Sequence, residues 1–192
     1  MPSMTDPLLI ARELYGLDAT ATPLPGELDL NFALTADGAR YVLKLHAGAP
    51  DLALEDAVLE HLRGEAAVPR LAGPSRALDG YTVRLLSWLE GEPWARAPGD
   101  RASLGATVAR VDRALADFTH PQMHRPHRWD LKHGYEGSLD HLPHQVIHND
   151  ANEYNVLVGP DGVVTGLIDF GDVVHTARAY APAIASPHTR AV

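Results

Sequence analysis

The sequence predicts an α+β fold in two lobes, an antiparallel sheet with a helix followed by a mainly helical half. Three observations predict it. Two alternating stretches meet at Asp37-Gly38, apolar stripes at helical spacing occur on both sides of them, and all periodicity breaks at Glu90-Gly91-Glu92-Pro93. The lobes are set at residues 1–86 and 94–192, with residues 87–93 as the hinge.

Asp6 before Pro7 is a helix start, and Leu8, Ala11, Leu14 and Tyr15 recur at helical spacing until Gly16 supplies a stop. A turn is expected at residues 23–26. Leu28, Leu30, Phe32 and Leu34 then alternate with polar or small residues, the period of a half-buried strand. Asp37-Gly38 reverses the chain into a strand over residues 40–46, which puts Tyr41, Leu43 and Leu45 on one face and Val42, Lys44 and His46 on the other. Lys44 therefore faces away from the main apolar row.

Asp51 caps a second helix expected to run to Gly64, with Leu52, Glu55, Val58, Leu59 and Leu62 on one face. A carboxylate in an aliphatic stripe is costly unless it finds a cation, so Glu55 is expected to want a buried partner, unless it snorkels from the edge of the stripe. Glu60 lies on the polar side beside Asp56 and Arg63. Tyr81, Val83 and Leu85 mark a further strand, and Asp100 caps a long helix carrying Leu104, Val108, Val111, Leu115 and Phe118. Short strands are expected at residues 145–148, 155–159 and 163–169. The tail after Asp172 gives no element.

Composition narrows the function classes. Of 192 residues, 45 % are hydrophobic and 21 % charged, as in a folded globular protein. The chain has no cysteine, which excludes disulfide scaffolds, thiolate catalysis and cysteine-ligated zinc. A formal net charge of -9 opposes nucleic-acid binding and suits a cationic small substrate. No apolar run approaches the roughly 18 residues of a membrane span, and the first sixteen residues do not read as a signal peptide, so a cytoplasmic location without membrane partners is expected.

The strongest signal is His148-Asn149-Asp150-Ala151-Asn152-Glu153-Tyr154-Asn155, of the form His-x-Asp-x-x-x-x-Asn, followed 14 residues after Asn155 by Asp169-Phe170-Gly171. Phosphoryl transfer needs this set of groups. One carboxylate accepts a hydroxyl proton, while an amide and a second carboxylate hold the metal that bridges nucleotide phosphates. Asp150 suits the first task, Asn155 and Asp169 the second. Taken singly, Asp150, Asn152 and Asn155 are also ordinary turn formers. His148 is expected to support the loop by packing or hydrogen bonding.

Residues 148–158 with Gly166-Leu-Ile-Asp-Phe-Gly-Asp172 resemble the aminoglycoside phosphotransferase and choline kinase-like family, of protein kinase-like fold, and are most similar to its hydroxylysine kinase-like branch. The resemblance extends through Asn31-Phe-Ala-Leu, Tyr41-Val-Leu-Lys44-Leu and Leu85-Leu-Ser-Trp-Leu-Glu-Gly91. It implies a kinase that transfers the γ-phosphate of ATP or GTP, with Mg2+, to a hydroxyl of a small and, given the acidic balance, amine-bearing acceptor. It further implies that Lys44 pairs with nucleotide phosphates and with Glu55. Backbone groups from Ser87 to Leu89 would hold the purine, and the turn at residues 26–31 would lie over the phosphates. The segments after the long helix and after Asp172 are shorter than in the family. A catalytically silent or truncated nucleotide-binding scaffold is therefore the alternative, and core left uncovered would favour a homodimer.

Seven of the eleven histidines fall between positions 120 and 148. Such density suits either zinc or a polar connecting segment. Trp88, Trp94 and Trp129 suit either stacking on a base or amine, or packing.

Overall fold

In the computed structural model, which describes residues 5–26, 29–134 and 139–185, the chain divides into two units. The first takes the chain up to Asp56 together with Arg70–Trp88, and the second takes Ala57–Pro69 and the chain from Leu89 onward.

The first unit opens with α1 (Pro7–Tyr15), whose N-terminal amides are met by Asp6 Oδ1, 2.9 Å from the Leu8 nitrogen. Gly16, at φ 68°, turns the chain out of the helix. Five antiparallel strands follow, β1 (Thr20–Leu24), β2 (Leu30–Ala36), β3 (Ala39–Ala47), β4 (Arg76–Leu78) and β5 (Tyr81–Ser87), in the spatial order β1-β2-β3-β5-β4. Asp37 and Gly38 both have positive φ, the geometry of a two-residue hairpin whose twist matches its strands. The expected strand position Leu28 lies outside the described residues.

The turn expected at residues 23–26 begins too early. Pro23 and Leu24 pair with Phe32 and Asn31 as the end of β1. Proline is tolerated there because β1 is an edge strand, where a missing N–H need not break a ladder. Register places Leu34, Leu43, Leu45, Val83 and Leu85 on one face, where they bury against Ile10 and Ala11 of α1. Each such fully buried aliphatic side chain contributes about 1.5–3 kcal/mol relative to exposure.

Helix α2 (Ala53–His61) starts at Asp51, whose Oδ1 accepts from the Ala53 nitrogen at 3.0 Å. It ends at His61, not at the expected Gly64. The chain tightens there into three-residue bonds, Arg63 N to Glu60 O and Glu65 N to Leu62 O. Glu60 pairs with Arg63 at 2.8 Å, whereas Asp56 turns inward to Arg84 of β5 at 2.6 Å.

In the second unit, Asp100 caps α3 (Arg101–Ala114) by accepting from both Ala102 N and Ser103 N. Leu104, Val108 and Val111 form its buried stripe, and Leu115 and Phe118 continue the buried series past the helix end. Glu92 and Pro93, expected to lie in an unstructured linker, form β6 (Glu92–Pro93) against β8 (Val156–Val158), which in turn pairs with β9 (Val164–Leu167). The tail from which no element was expected contains β10 (Val174–Ala177), paired with β7 (His144–Ile147), and then the short α4 (Tyr180–Ile184). Helix α3 packs on β9 and α4. No helix among the described residues is long and apolar enough to cross a membrane.

Candidate active site

The loop from residue 148 to 155 leaves β7 and enters β8, and its shape is fixed from both ends. His148 is buried at 4 % exposure and spans two backbone groups. Its Nε2 donates to Ile168 O at 2.9 Å, and its Nδ1 accepts the Asp150 N–H at 3.2 Å. Its ring meets Phe170 edge-on at 4.5 Å. Burial lowers its pKa to about 4, so the imidazole is neutral at ordinary pH and carries one ring proton, as the two bonds require.

Asn149 adopts the left-handed conformation at φ 65°, and its Nδ2 donates to Trp129 O at 3.2 Å. Asp150 follows with its carboxylate held by two amides. Asn152 Nδ2 donates to Oδ1 at 2.8 Å, and Asn155 Nδ2 donates to Oδ2 at 2.6 Å and to the Asp150 carbonyl at 3.0 Å. Asn152 also accepts the Tyr154 N–H, so it acts as a turn former while it orients Asp150.

The strand that delivers Asp169 is fastened to the same loop by Ile168 N, which donates to Asn155 O at 2.9 Å. Asp169 itself lies at φ 63° and is exposed, and Phe170 behind it is buried. Burial raises the Asp150 pKa to about 6, and the charges of Asp172 and Asp169 add to the rise against the two amide bonds that oppose it. The second unit therefore brings Asp150, Asn155 and Asp169 together.

Asp172 joins this group without having been singled out in the sequence. Burial raises its pKa, with Asp169 adding to the rise and His127, whose Nε2 lies 3.2 Å from Asp172 Oδ1, opposing it. His127 Nδ1 also accepts the Trp129 N–H at 3.3 Å. Next to it, Asp130 accepts from Thr176 Oγ1 at 2.9 Å and pairs with Lys132 at 2.8 Å. Burial opposes its charge, but the bonds from Lys132 and Thr176 hold its carboxyl below the usual range. The segment from His127 to Lys132 is thus tied to the loop, to Asp172 and to β10, and it leaves Trp129 60 % exposed under the Arg128 guanidinium. Among the described residues no group of three or more His, Asp or Glu side chains converges as metal ligands. Only the histidine density hinted at any of these ties.

In the first unit, Lys44 is half-buried on the face opposite the core, with Asn31 and Arg84 as its cross-strand neighbours. Glu55 is 3 % exposed in the first turn of α2. Asn31 Nδ2 bonds to Pro25 O at 3.0 Å and closes the turn before β2. A Cβ at Gly26 would come within 2.5 Å of that same Nδ2, so only glycine fits there. His46 pairs with Asp29 at 2.7 Å beside it.

Ser87, expected to hold the purine through its backbone, has its N–H and hydroxyl engaged within the first unit. Its N–H is given to Arg70 O at 2.8 Å and its hydroxyl accepts from Arg70 N, which leaves only its carbonyl side for a ligand. The Trp88 N–H likewise goes to Arg40 O, and Arg40 stacks on the Trp88 ring at 3.8 Å. Leu89 opens the second unit and lies against Gly166, where a Cβ would approach Leu89 Cδ1 to 3.0 Å.

The donor chemistry fits a hard divalent cation. Asn155 and Asp169 offer oxygen, and the mutual repulsion that helps to raise Asp150 is the kind of field a bound Mg2+ neutralises.

The sequence pattern of a phosphotransferase enzyme family matches residues 20–138 and 127–186. Hydroxylysine kinase of Mus musculus is 27 % identical over an alignment that covers 84 % of this chain and 62 % of the mouse protein. The Bos taurus hydroxylysine kinase is 26 % identical, over 91 % of this chain and 66 % of its own length. The chain thus spans under two thirds of these relatives. A spectinomycin phosphotransferase in complex with ADP and spectinomycin superposes with a TM-score of 0.64 at 12 % identity, over 89 % of this chain and 69 % of that one. A thermostable mutant of an aminoglycoside phosphotransferase, in ternary complex with AMP-PNP and hygromycin B, gives 0.64 at 17 % identity, over 92 % and 74 %. At these identities the structural likeness speaks for the fold, which is protein kinase-like.

Proposed function

From a chain that belongs to the phosphotransferase enzyme family, we propose a small-molecule kinase that transfers the γ-phosphate of ATP or GTP to a hydroxyl of an amine-bearing acceptor. The observation that carries this is the Asp150 carboxylate, aimed by two amides and raised to about 6 beside two further carboxylates. The curated relatives are hydroxylysine kinases, and the solved neighbours hold ADP or AMP-PNP with an aminoglycoside or spectinomycin, which supports both the nucleotide and the acceptor class.

In this reading Asp150 accepts the acceptor's hydroxyl proton as the oxygen attacks phosphorus. A carboxylate of pKa about 6 is still ionised at neutral pH yet binds a proton more readily than an ordinary one. Asn155 and Asp169 would hold Mg2+, which supplies charge neutralisation for the triphosphate when bound. Lys44 binds nucleotide phosphate, and Glu55, buried in α2, orients it. Backbone groups from Ser87 to Leu89 would hold the purine, with residues 1–86 read as the nucleotide lobe and residues 94–192 as the catalytic lobe. The reading includes a cytoplasmic location.

The test is release of ADP or GDP, with MgATP or MgGTP, across hydroxylysine, amino alcohols and aminoglycosides. Acceptor-dependent turnover is expected, with Asp150→Asn lowering kcat by at least about a hundredfold. Turnover by Asp150→Asn at the wild-type rate would defeat the mechanism, and nucleotide binding with no turnover for any acceptor would support the scaffold alternative.

A further inference from the structure

The reaction just described leaves most of the concentrated histidines unused, yet two of them meet a third on the β7–β10 ladder. The His124 ring stands edge-on to His175 at 4.4 Å between centroids, and His144 is stacked with His175 at 6.1 Å. Register explains the second contact. His144 is paired with Ala177, so His175, two residues back on β10, is its diagonal neighbour on the same face. The charged side chains that act on His175 are all basic: His144 from β7, and His124 and Lys132 from the segment on either side of His127. Asp130 pairs with Lys132 and accepts from the Thr176 hydroxyl, which strand alternation puts on the opposite face of β10. Arg178, beyond the strand, acts instead on Asp112. Burial lowers the His175 pKa and the three basic neighbours lower it further, against a backbone hydrogen bond that raises it. The unfolded chain therefore takes up a proton that the folded chain resists, and stability is lost as pH falls below the ordinary histidine value of 6.5. This ladder joins the two halves of the site, since β7 runs into the loop of Asp150 and β10 begins two residues after Asp172.

We propose that His124, His144 and His175 form an acid-sensitive clasp: neutral, they pack together across the β7–β10 ladder, and protonated, they repel one another and open it. Like charges set against each other on a ladder are destabilising, and histidine is the side chain that gains its charge just below neutral pH. Opening the ladder parts the loop of Asp150 from the segment of Asp169 and leaves the chain open to inactivation. The clasp itself stands apart from the kinase reading, and only its consequence for turnover rests on that reading.

Amide hydrogen exchange at pH 7 and pH 5 tests this on wild type, His175→Gln and His124→Gln, read as protection factors so that the intrinsic effect of pH is removed. On going to pH 5, the amides of residues 144–147 and 174–177 should lose about tenfold more protection in wild type than in His175→Gln, which cannot take the proton. His148 titrates in both proteins, so the difference isolates the clasp. In His124→Gln, a change at an exposed position, the His175 ring resonances should titrate at higher pH than in wild type, because one basic neighbour is gone. Ring packing alone would produce no such movement, and this arm carries the test should His175→Gln not fold. Acceptor-dependent turnover, assayed at pH 7 after incubation at pH 5, should decay about tenfold faster in wild type than in His175→Gln. Equal loss of ladder protection in wild type and folded His175→Gln, or an unmoved His175 titration in His124→Gln, overturns the inference. Absence of turnover in both proteins at every pH would instead overturn the kinase reading, with the exchange result still deciding the clasp.

Discussion

Replacing His148 by Phe keeps a ring against Phe170 and removes both of the bonds that His148 makes to fix the loop from residue 148 to 155. The Asp150 N–H loses its acceptor and Ile168 O its donor. Each group left without a partner costs about 1–3 kcal/mol, so the variant should lose about 2–6 kcal/mol of stability at pH 7. That penalty should shrink in acid. Because burial lowers the folded-state pKa from 6.5 to about 4, the unfolded chain takes up a proton on falling through 6.5 while the folded chain resists until about 4. The stability tied to the neutral ring is complete above pH 6.5 and declines by about 1.4 kcal/mol per unit below it, about 2 kcal/mol by pH 5. Phenylalanine does not titrate, so the penalty of His148→Phe should fall by that amount between pH 7 and pH 5. Asp112 and Asp150, both raised to about 6 by burial, act with the opposite sign and gain stability as pH falls through 6, but both proteins contain them. Urea unfolding at pH 5, 6 and 7 without divalent cations reads the difference. A penalty that stays constant, or grows in acid, would refute a buried neutral imidazole.

Gly91, at φ 143°, has no room for a side chain, since a Cβ would meet Thr165 Oγ1 at 2.4 Å and Val158 O at 3.0 Å. Gly91→Ala should therefore destabilise the chain by at least about 2 kcal/mol in urea unfolding, and a neutral result would mean that β6 does not lie where described. Asp100→Ala removes the acceptor of two helix N–H groups and should lower stability by about 1 kcal/mol, read as a fall in Tm with nucleotide binding unchanged.

What the sequence revealed was local. The hairpin of β2 and β3 was legible because alternation and Asp37-Gly38 are short-range signals, and α1 and α3 because their Asp caps stand next to their stripes. The burial of Glu55 followed from its place in an apolar stripe. The loop and Asp169 were legible because their chemistry fixes residue type and spacing. What stayed hidden depends on partners distant in the chain. The end of β1, Pro23 and Leu24, read as a turn because proline dominates local propensity, while the edge position of the strand is decided by the sheet. Asp56 read as a surface acid because its partner Arg84 arrives 28 residues later through strand register. The His127–Asp172 contact, the Asn149 bond to Trp129 and the β7–β10 ladder join segments whose sequences show no mutual signal. The left-handed conformations of Asn149 and Asp169 likewise show only in the folded backbone.

The most direct measurement is calorimetric titration of ATP into wild type and Asp169→Asn, each with magnesium and with a chelator. Wild type should bind more tightly when magnesium is present, and the variant, lacking one charged ligand, should lose that gain. If Asp169→Asn gains as much from magnesium as wild type does, the cation is held elsewhere and the assignment of Asn155 and Asp169 is wrong.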